Sequence, residues 1–362
     1  MAHLAIHDAL NSIDRRYQTY ALNIDEEPDA SPSAAVAAAA YGVLINELPT
    51  QRMSIDAAYE NALAAIADGP AKTGGIAIGQ AAAAMIITLR STDGSSTAQF
   101  AFAPGTGPGI WQPTPPPFVP AVLPGWGSVT PFALTNSGQF RPDRPPLFDL
   151  TGRKYERDYT EVKGIGAIDS SVRTPEQGEI ARFWYEDSPP AWNRIAKAIS
   201  MSRGLDSWAN ARLLALVNLA MADGFIAGFD TKYSYSFWRP VTAIRAGDID
   251  DNPDTLVDPG WSSFLVTPPS PDYPSTHSVL GAAAAEAMRL FFGGDEISFS
   301  ATSGPPFPGI TRSFISFSQA AHENANSRVY AGIHFRSACR DGLKMGRKVG
   351  KFAFRRSLRP TR

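Results

Sequence analysis

The chain has a single cysteine, Cys339, among 362 residues. An internal disulfide needs two and a Cys-based zinc site needs several, so both are excluded. An excess of either charge is lacking too: 33 Lys and Arg stand against 35 Asp and Glu, a formal net charge of −2. That balance gives no electrostatic basis for a general nucleic-acid or membrane-surface role. No run of about 20 apolar residues reads as a membrane span. The N-terminus lacks the basic, apolar, small-residue order of a secretory signal. It opens in Met1-Ala-His-Leu-Ala-Ile-His-Asp-Ala-Leu-Asn11, which already reads as helix interior. We take this as a start placed inside a longer gene or a lost leader. The compartment therefore stays open, and an exported or periplasmic location is compatible with the chain.

What is present is a globular composition, 44% hydrophobic and 19% charged, with length enough for two modest domains or one large helical one. Apolar periodicity predicts helices over 2–13, 32–47, 52–67 and 72–91. Ser31 and Pro32 are start signals for the second of these. Short links between four helices imply a bundle. Residues 92–150 change character, with Pro, Gly and aromatics dominating from Pro104 to Phe118. The aromatics Trp111, Phe118, Trp126 and Phe132 argue against disorder. We expect an ordered belt over the bundle, either shaping a pocket mouth or covering the core.

Further helices are expected over 152–165, from Thr174 to about Glu186, and over 191–202, 207–229, 278–292, 311–327 and 335–354. Thr174-Pro-Glu-Gln177 has a capping-box pattern, and Pro189-Pro190 is expected to break the helix before it. The connector from Arg239 to Pro274 reads as mostly loop. The expected fold is all-α: two packed helical bundles with a long, ordered Pro/Gly/aromatic-rich loop. The first would be residues 1–150 with the belt, the second residues 151–362, and both would form one unit.

Three short pieces of the second half carry the chemistry. Lys232 precedes Arg239-Pro240 by seven positions; Pro274-Ser275-Thr276-His277 follows; then come Ser327-Arg328 and His334. Guanidinium forks give paired charge-assisted bonds to an oxyanion, and an ammonium adds a point charge. The Pro-Ser-Thr-His piece falls at a helix start, where free N–H groups and the positive dipole end favour an anion. Each piece alone is ordinary surface charge; the ordered triple reads as one oxyanion cradle. His7 reads as a packing histidine and His322 as structural. Trp238 could wall the cradle or simply pack, and Phe229 is a candidate for a substrate pocket.

Lys-x6-Arg-Pro, Pro-Ser-x-His and Ser-Arg-x5-His in this order resemble the vanadium-dependent haloperoxidases and their relatives, the type 2 phosphatidic acid phosphatases. Phe237-Trp-Arg-Pro-Val-Thr-Ala-Ile-Arg245 and Tyr330-Ala-Gly-Ile-His-Phe335 resemble the bacterial haloperoxidase-like branch. The resemblance implies a vanadate cofactor, for whose site phosphate can compete. It implies His334 as vanadium ligand and Lys232, Arg239, Ser275, Thr276 and Arg328 around the vanadate oxygens. His277 would be the acid–base, with His334 and His277 forming the catalytic pair. Hydrogen peroxide, a halide and a small organic acceptor would be the partners, and a homodimer is the assembly the family leads one to expect. The same cradle admits an alternative, a soluble acid phosphatase in which His334 is the nucleophile and forms a phosphohistidine while His277 protonates the leaving alcohol. A non-catalytic oxyanion binder is a third possibility.

Two positions depart from the family pattern. Thr276 stands where Gly is usual, which keeps the backbone N–H. Ala338 stands where an Asp commonly orients the last histidine. Asp341 lies roughly 10 Å along a helix from His334, at about 1.5 Å per residue, and is a doubtful substitute.

Overall fold

A computed structural model describes residues 1–115 and 118–361. Pro116 and Pro117 of the belt, and Arg362, lie outside the described residues. The chain order is α1 (Ala2–Asn11), α2 (Pro32–Glu47), α3 (Arg52–Ala64), α4 (Pro70–Arg90), α5 (Arg153–Ile165), α6 (Pro175–Phe183), α7 (Ser188–Ser202), α8 (Ser207–Tyr235), α9 (Pro240–Arg245) and α10 (Thr276–Phe292). An antiparallel hairpin follows, β1 (Phe299–Thr302) with β2 (Thr311–Phe314), and the chain closes with α11 (Phe317–Tyr330) and α12 (Arg336–Arg356). The all-α expectation holds, with this one small hairpin added.

Local chemistry sets several of these boundaries. Ser31 accepts the N–H of Ala34 and Pro32 opens α2. Thr174 and Gln177 form the reciprocal capping box at α6. Ser316 caps α11 through the N–H of Gln319. Pro189-Pro190, expected as a break, sit in the first turn of α7, where their missing N–H groups cost no hydrogen bond. The helix expected from 311 starts at Phe317, because 311–314 pairs with β1 and turns Phe314 inward. The connector expected as loop contains α9, and α8 runs past Lys232 to Tyr235.

Two helices, α4 and α8, are long and apolar enough to cross a membrane by length and composition, a test that a buried core helix also passes. In α8, 78% of the apolar window is buried inside the protein, as in a core helix. The apolar stretch of α4 includes small residues that let α2 approach closely. A side chain on Gly79 would come within 2.4 Å of the Ala35 carbonyl oxygen.

The chain divides into two compact units, and not at residue 150. The first comprises Met1–Asp93, Ala196–Asn218 and Phe354–Arg362; the second comprises Gly94–Ile195 and Leu219–Ala353. The belt is thus part of the second unit. The reason is polar as well as apolar. Asp223 on α8 accepts the successive backbone N–H groups of Phe132, Ala133 and Leu134 at 2.6, 2.7 and 2.9 Å. Trp111 is fully buried, and its N–H bonds Ser236 O at 2.7 Å. A chain segment without helix or sheet must place its backbone donors somewhere, and this one places them on α8.

Candidate active site

The second unit gathers every residue expected in the cradle, and each arrives from the end of an element. Lys232 lies in the last turn of α8 and Arg328 in the last turn of α11. Cations there complement the negative end of the helix dipole. Arg239 is the extended N-cap residue of α9, held so by the following proline. Ser275 is the N-cap of α10, which places Thr276 and His277 at the first two helical positions. No backbone or side-chain partner takes the N–H of either, among the described residues. His334 follows a turn at Gly332 (φ +77°), where any side chain would meet the Gly166 carbonyl at 2.2 Å.

Burial separates this set from ordinary surface charge. Lys232, Arg239 and Arg328 are each 1% exposed, and Ser275 is fully buried. The Lys232 ammonium donates to Pro271 O at 2.7 Å and Asp272 O at 3.2 Å. Arg239 donates to Ser270 O and Ile333 O, both at 2.7 Å, and to Ser270 Oγ at 3.2 Å. Arg328 donates to Trp184 O at 3.0 Å, while its Nε has no partner among the described residues. The Thr276 hydroxyl is likewise buried and unpartnered. Among the described residues, Asp272 is the buried carboxylate that acts on both Lys232 and Arg239. Three buried cations against one carboxylate leave a positive, donor-rich site, and isolated buried charge is costly without a partner.

Asp272 is the functional residue the sequence reading missed. Its Oδ1 lies 2.9 Å from His334 Nδ1. The backbone N–H of Phe335 also acts on this carboxylate. Asp272 is thus a carboxylate beside His334 that does not come from position 338. Ala338 instead offers its carbonyl to the Ser275 N–H at 3.0 Å. Asp341 plays no part, being bound to the Tyr273 hydroxyl at 3.1 Å and to Lys344 at 3.1 Å. The sequence signal available was an acidic residue just ahead of Pro274-Ser275-Thr276-His277, inside a connector read as loop.

The electrostatics follow from burial first. Burial lowers His334 and His277 well below the ordinary imidazole range; Arg239 adds most to the first and Arg328 to the second. Both rings are therefore neutral near pH 7. Burial also lowers Lys232, and Arg239 and Arg328 to about 10, while it raises Asp272 to about 7. Tautomers can be assigned from partners. Arg239 Nη1 lies 2.9 Å from His334 Nε2 and can only donate. Nε2 is thus the unprotonated nitrogen, its lone pair accepting from Arg239, and the proton sits on Nδ1 beside Asp272. His277 Nε2 lies 3.2 Å from Glu186 O, a pure acceptor, so Nε2 carries the proton and Nδ1 the lone pair.

Of the remaining candidates, His322 bonds Ser318 O at 2.7 Å and Arg347 at 3.0 Å, away from the cradle residues. Trp238 is buried with its ring stacked 6.3 Å from Tyr155, and Phe229 packs 4.3 Å from Phe225. Tyr233, one residue past Lys232, bonds Val122 O, so the belt does reach the neighbourhood of the cradle.

Helix ends bring a buried, cation-rich cluster together in an all-helical protein, and this donor set is of the kind that suits an oxyanion. Comparison with known proteins narrows that reading. Residues 212–362 match the family model of the VCPO second helical-bundle domain. The chain is 27% identical over 296 residues to vanadium chloroperoxidase of Curvularia inaequalis, covering 63% of this chain and 48% of that protein. It thus spans about half the length of that curated relative. The crystal structure of a bacterial vanadium-dependent iodoperoxidase superposes with a TM-score of 0.83 at 27% identity, covering 100% of this chain and 91% of that one. A holo-type bacterial vanadium-dependent chloroperoxidase gives 0.77 at 20% identity over 98% and 89%, which speaks to fold. The chain has the fold of the bacterial vanadium haloperoxidases, and its residues 212–362 are similar to the VCPO second helical-bundle domain.

Proposed function

We propose that this protein is a vanadate-dependent haloperoxidase, oxidising halide with hydrogen peroxide. The balance is one peroxide, one halide and one proton giving hypohalous acid and water; halide loses two electrons and peroxide gains them. The hypohalite equivalent then halogenates a small organic acceptor. One observation carries the reading: three buried cations and, among the described residues, one buried carboxylate gather about a histidine whose unprotonated Nε2 accepts from Arg239.

The residues fit vanadate. Arg328 Nε, the Thr276 hydroxyl and the first N–H groups of α10 are unpartnered donors, and an oxyanion offers only acceptors. His334 would hold it through Nε2, with Lys232, Arg239, Ser275, Thr276 and Arg328 on its oxygens. When bound, vanadate supplies a Lewis acid that polarises peroxide without change of its own oxidation state. Asp272 would keep the His334 proton on Nδ1 and leave Nε2 unprotonated, the usual task of a carboxylate behind a metal-bound imidazole; Arg239, which donates to Nε2, would turn to the anion when Nε2 holds it. Lys232 and the two arginines are fixed by backbone carbonyls and need no reorganisation to meet anionic oxygen, which is the source of electrostatic preorganisation. His277 is neutral with Nδ1 unprotonated, so it can take a proton from incoming peroxide and return it to the departing oxygen.

Orthovanadate is titrated in phosphate-free buffer while peroxide-dependent bromination or iodination of a phenolic dye is followed. Saturable, vanadate-dependent turnover that added phosphate suppresses is the expected result. No turnover at saturating vanadate would overturn the reading. Hydrolysis of p-nitrophenyl phosphate in the same tube would then favour a phosphatase using the same cradle.

A further inference from the structure

Ser275 sits where the N-terminus of α10 meets the cradle, and its hydrogen bonds are unusually committed. A serine hydroxyl has one hydrogen to donate and two lone pairs. Ser275 Oγ accepts the Ser278 N–H at 3.4 Å, the helix-capping bond, and also the Ser278 hydroxyl at 2.9 Å. One residue therefore fills both lone pairs. The hydrogen of Ser275 has no partner among the described residues, although the residue is fully buried. Buried donors of this kind are normally satisfied, and the acceptor that suits this one is the oxyanion placed among Lys232, Arg239 and Arg328.

Ser278 is itself held from behind. A side chain on Gly342 of α12 would come within 2.9 Å of Ser278 Cβ and 2.8 Å of Ser275 O, so α12 packs directly on this turn. The buried Cys339 thiol stands beside the Ser278 hydroxyl. Without the Ser278 hydroxyl, Ser275 would keep its capping bond but regain rotation about Cβ–Oγ. Its hydrogen would no longer be aimed.

Resting on the oxyanion-site reading above, we propose that Ser278 is a positioning residue, which locks the Ser275 hydroxyl as a donor to the bound oxyanion. Ser278 makes no contact with the anion and acts wholly through Ser275. The test is calorimetric titration of orthovanadate, and separately of inorganic phosphate, into the full chain, S278A, S275A and the S275A/S278A double variant, with a melting curve for each. S278A should bind both anions about tenfold more weakly, part of the value of a hydrogen bond to a charged group, with little change in melting temperature. In the S275A background, S278A should cause no further loss, since its route is gone. S278C, with a weaker donor, should fall between. Parent-like affinity in S278A overturns the inference even if the melting temperature falls, because the hydroxyl is then only structural. An equal loss in both backgrounds overturns it too, because Ser278 then acts independently of Ser275. A parent that binds neither anion removes the oxyanion site, and this inference with it.

Discussion

Each unit of the protein buries a histidine and an aspartate, yet the two pairs have opposite characters. In the first unit, His7 and Asp8 stand side by side on α1. His7 donates to Gln18 O at 3.1 Å, and Asp8 accepts the N–H groups of Tyr20, Ala21 and Leu22 at 2.6, 2.6 and 2.9 Å. Neighbouring Asn11 accepts from the backbone of Arg16 and Tyr17 at 3.1 and 2.9 Å. This network is closed by backbone and serves to pin the segment after α1. In the second unit, His334 and Asp272 sit among three cations with unpartnered donors close by. The difference teaches that burial of a His–Asp pair does not by itself mark function. A surplus of donors does, because a surplus calls for a ligand.

The comparison is broken most severely by His334→Ala. Loss of the proposed vanadium ligand should lower orthovanadate affinity at least about 100-fold by analogy with metal-site losses; unchanged affinity by calorimetry would sink the site assignment. Asp272→Ala should weaken binding roughly 10- to 100-fold through the orientation of His334, whereas Asp341→Ala should change it little. A reversed ranking of these two would return the orienting role to Asp341.

Asp8→Ala should cost about 3 kcal/mol, since three backbone donors lose their acceptor, and should leave anion affinity as in the parent. Chemical denaturation and the same titration check both halves of that statement. Orthovanadate or phosphate at 100 times its dissociation constant should raise stability by about 2.7 kcal/mol. Hydrogen exchange should show the added protection among second-unit elements around the cradle.

A smaller effect concerns pH. Burial lowers His7 to about 4, below the ordinary imidazole value of about 6.5. The folded state therefore refuses a proton that the unfolded chain takes up between those values. Stability from this group is fully present above about 6.5 and is lost as pH falls through about 4, by about 3 kcal/mol. Denaturation midpoints measured across that window should fall in the parent and fall less in His7→Gln. Equal slopes would show that His7 is not the titrating group.

Much of this molecule could be read in sequence because the signals are local. The Thr174/Gln177 capping box, the Ser31-Pro32 start and the Ser275 cap are written within three or four residues. The order of Lys232, Arg239, Ser275, His277, Arg328 and His334 already pointed to residues that the fold brings together in the second unit. What only the tertiary structure decided is pairing between residues distant in the chain. It set Asp272 against His334, gave the Ala338 carbonyl to Ser275, and joined the belt to α8 through Asp223. It also turned 311–314 into a strand, although its residues alone were compatible with helix. The physical reason is common to all four. Helix periods and caps are satisfied by near neighbours, whereas a buried charge, an orphan N–H or an edge strand is satisfied by whatever the fold brings alongside.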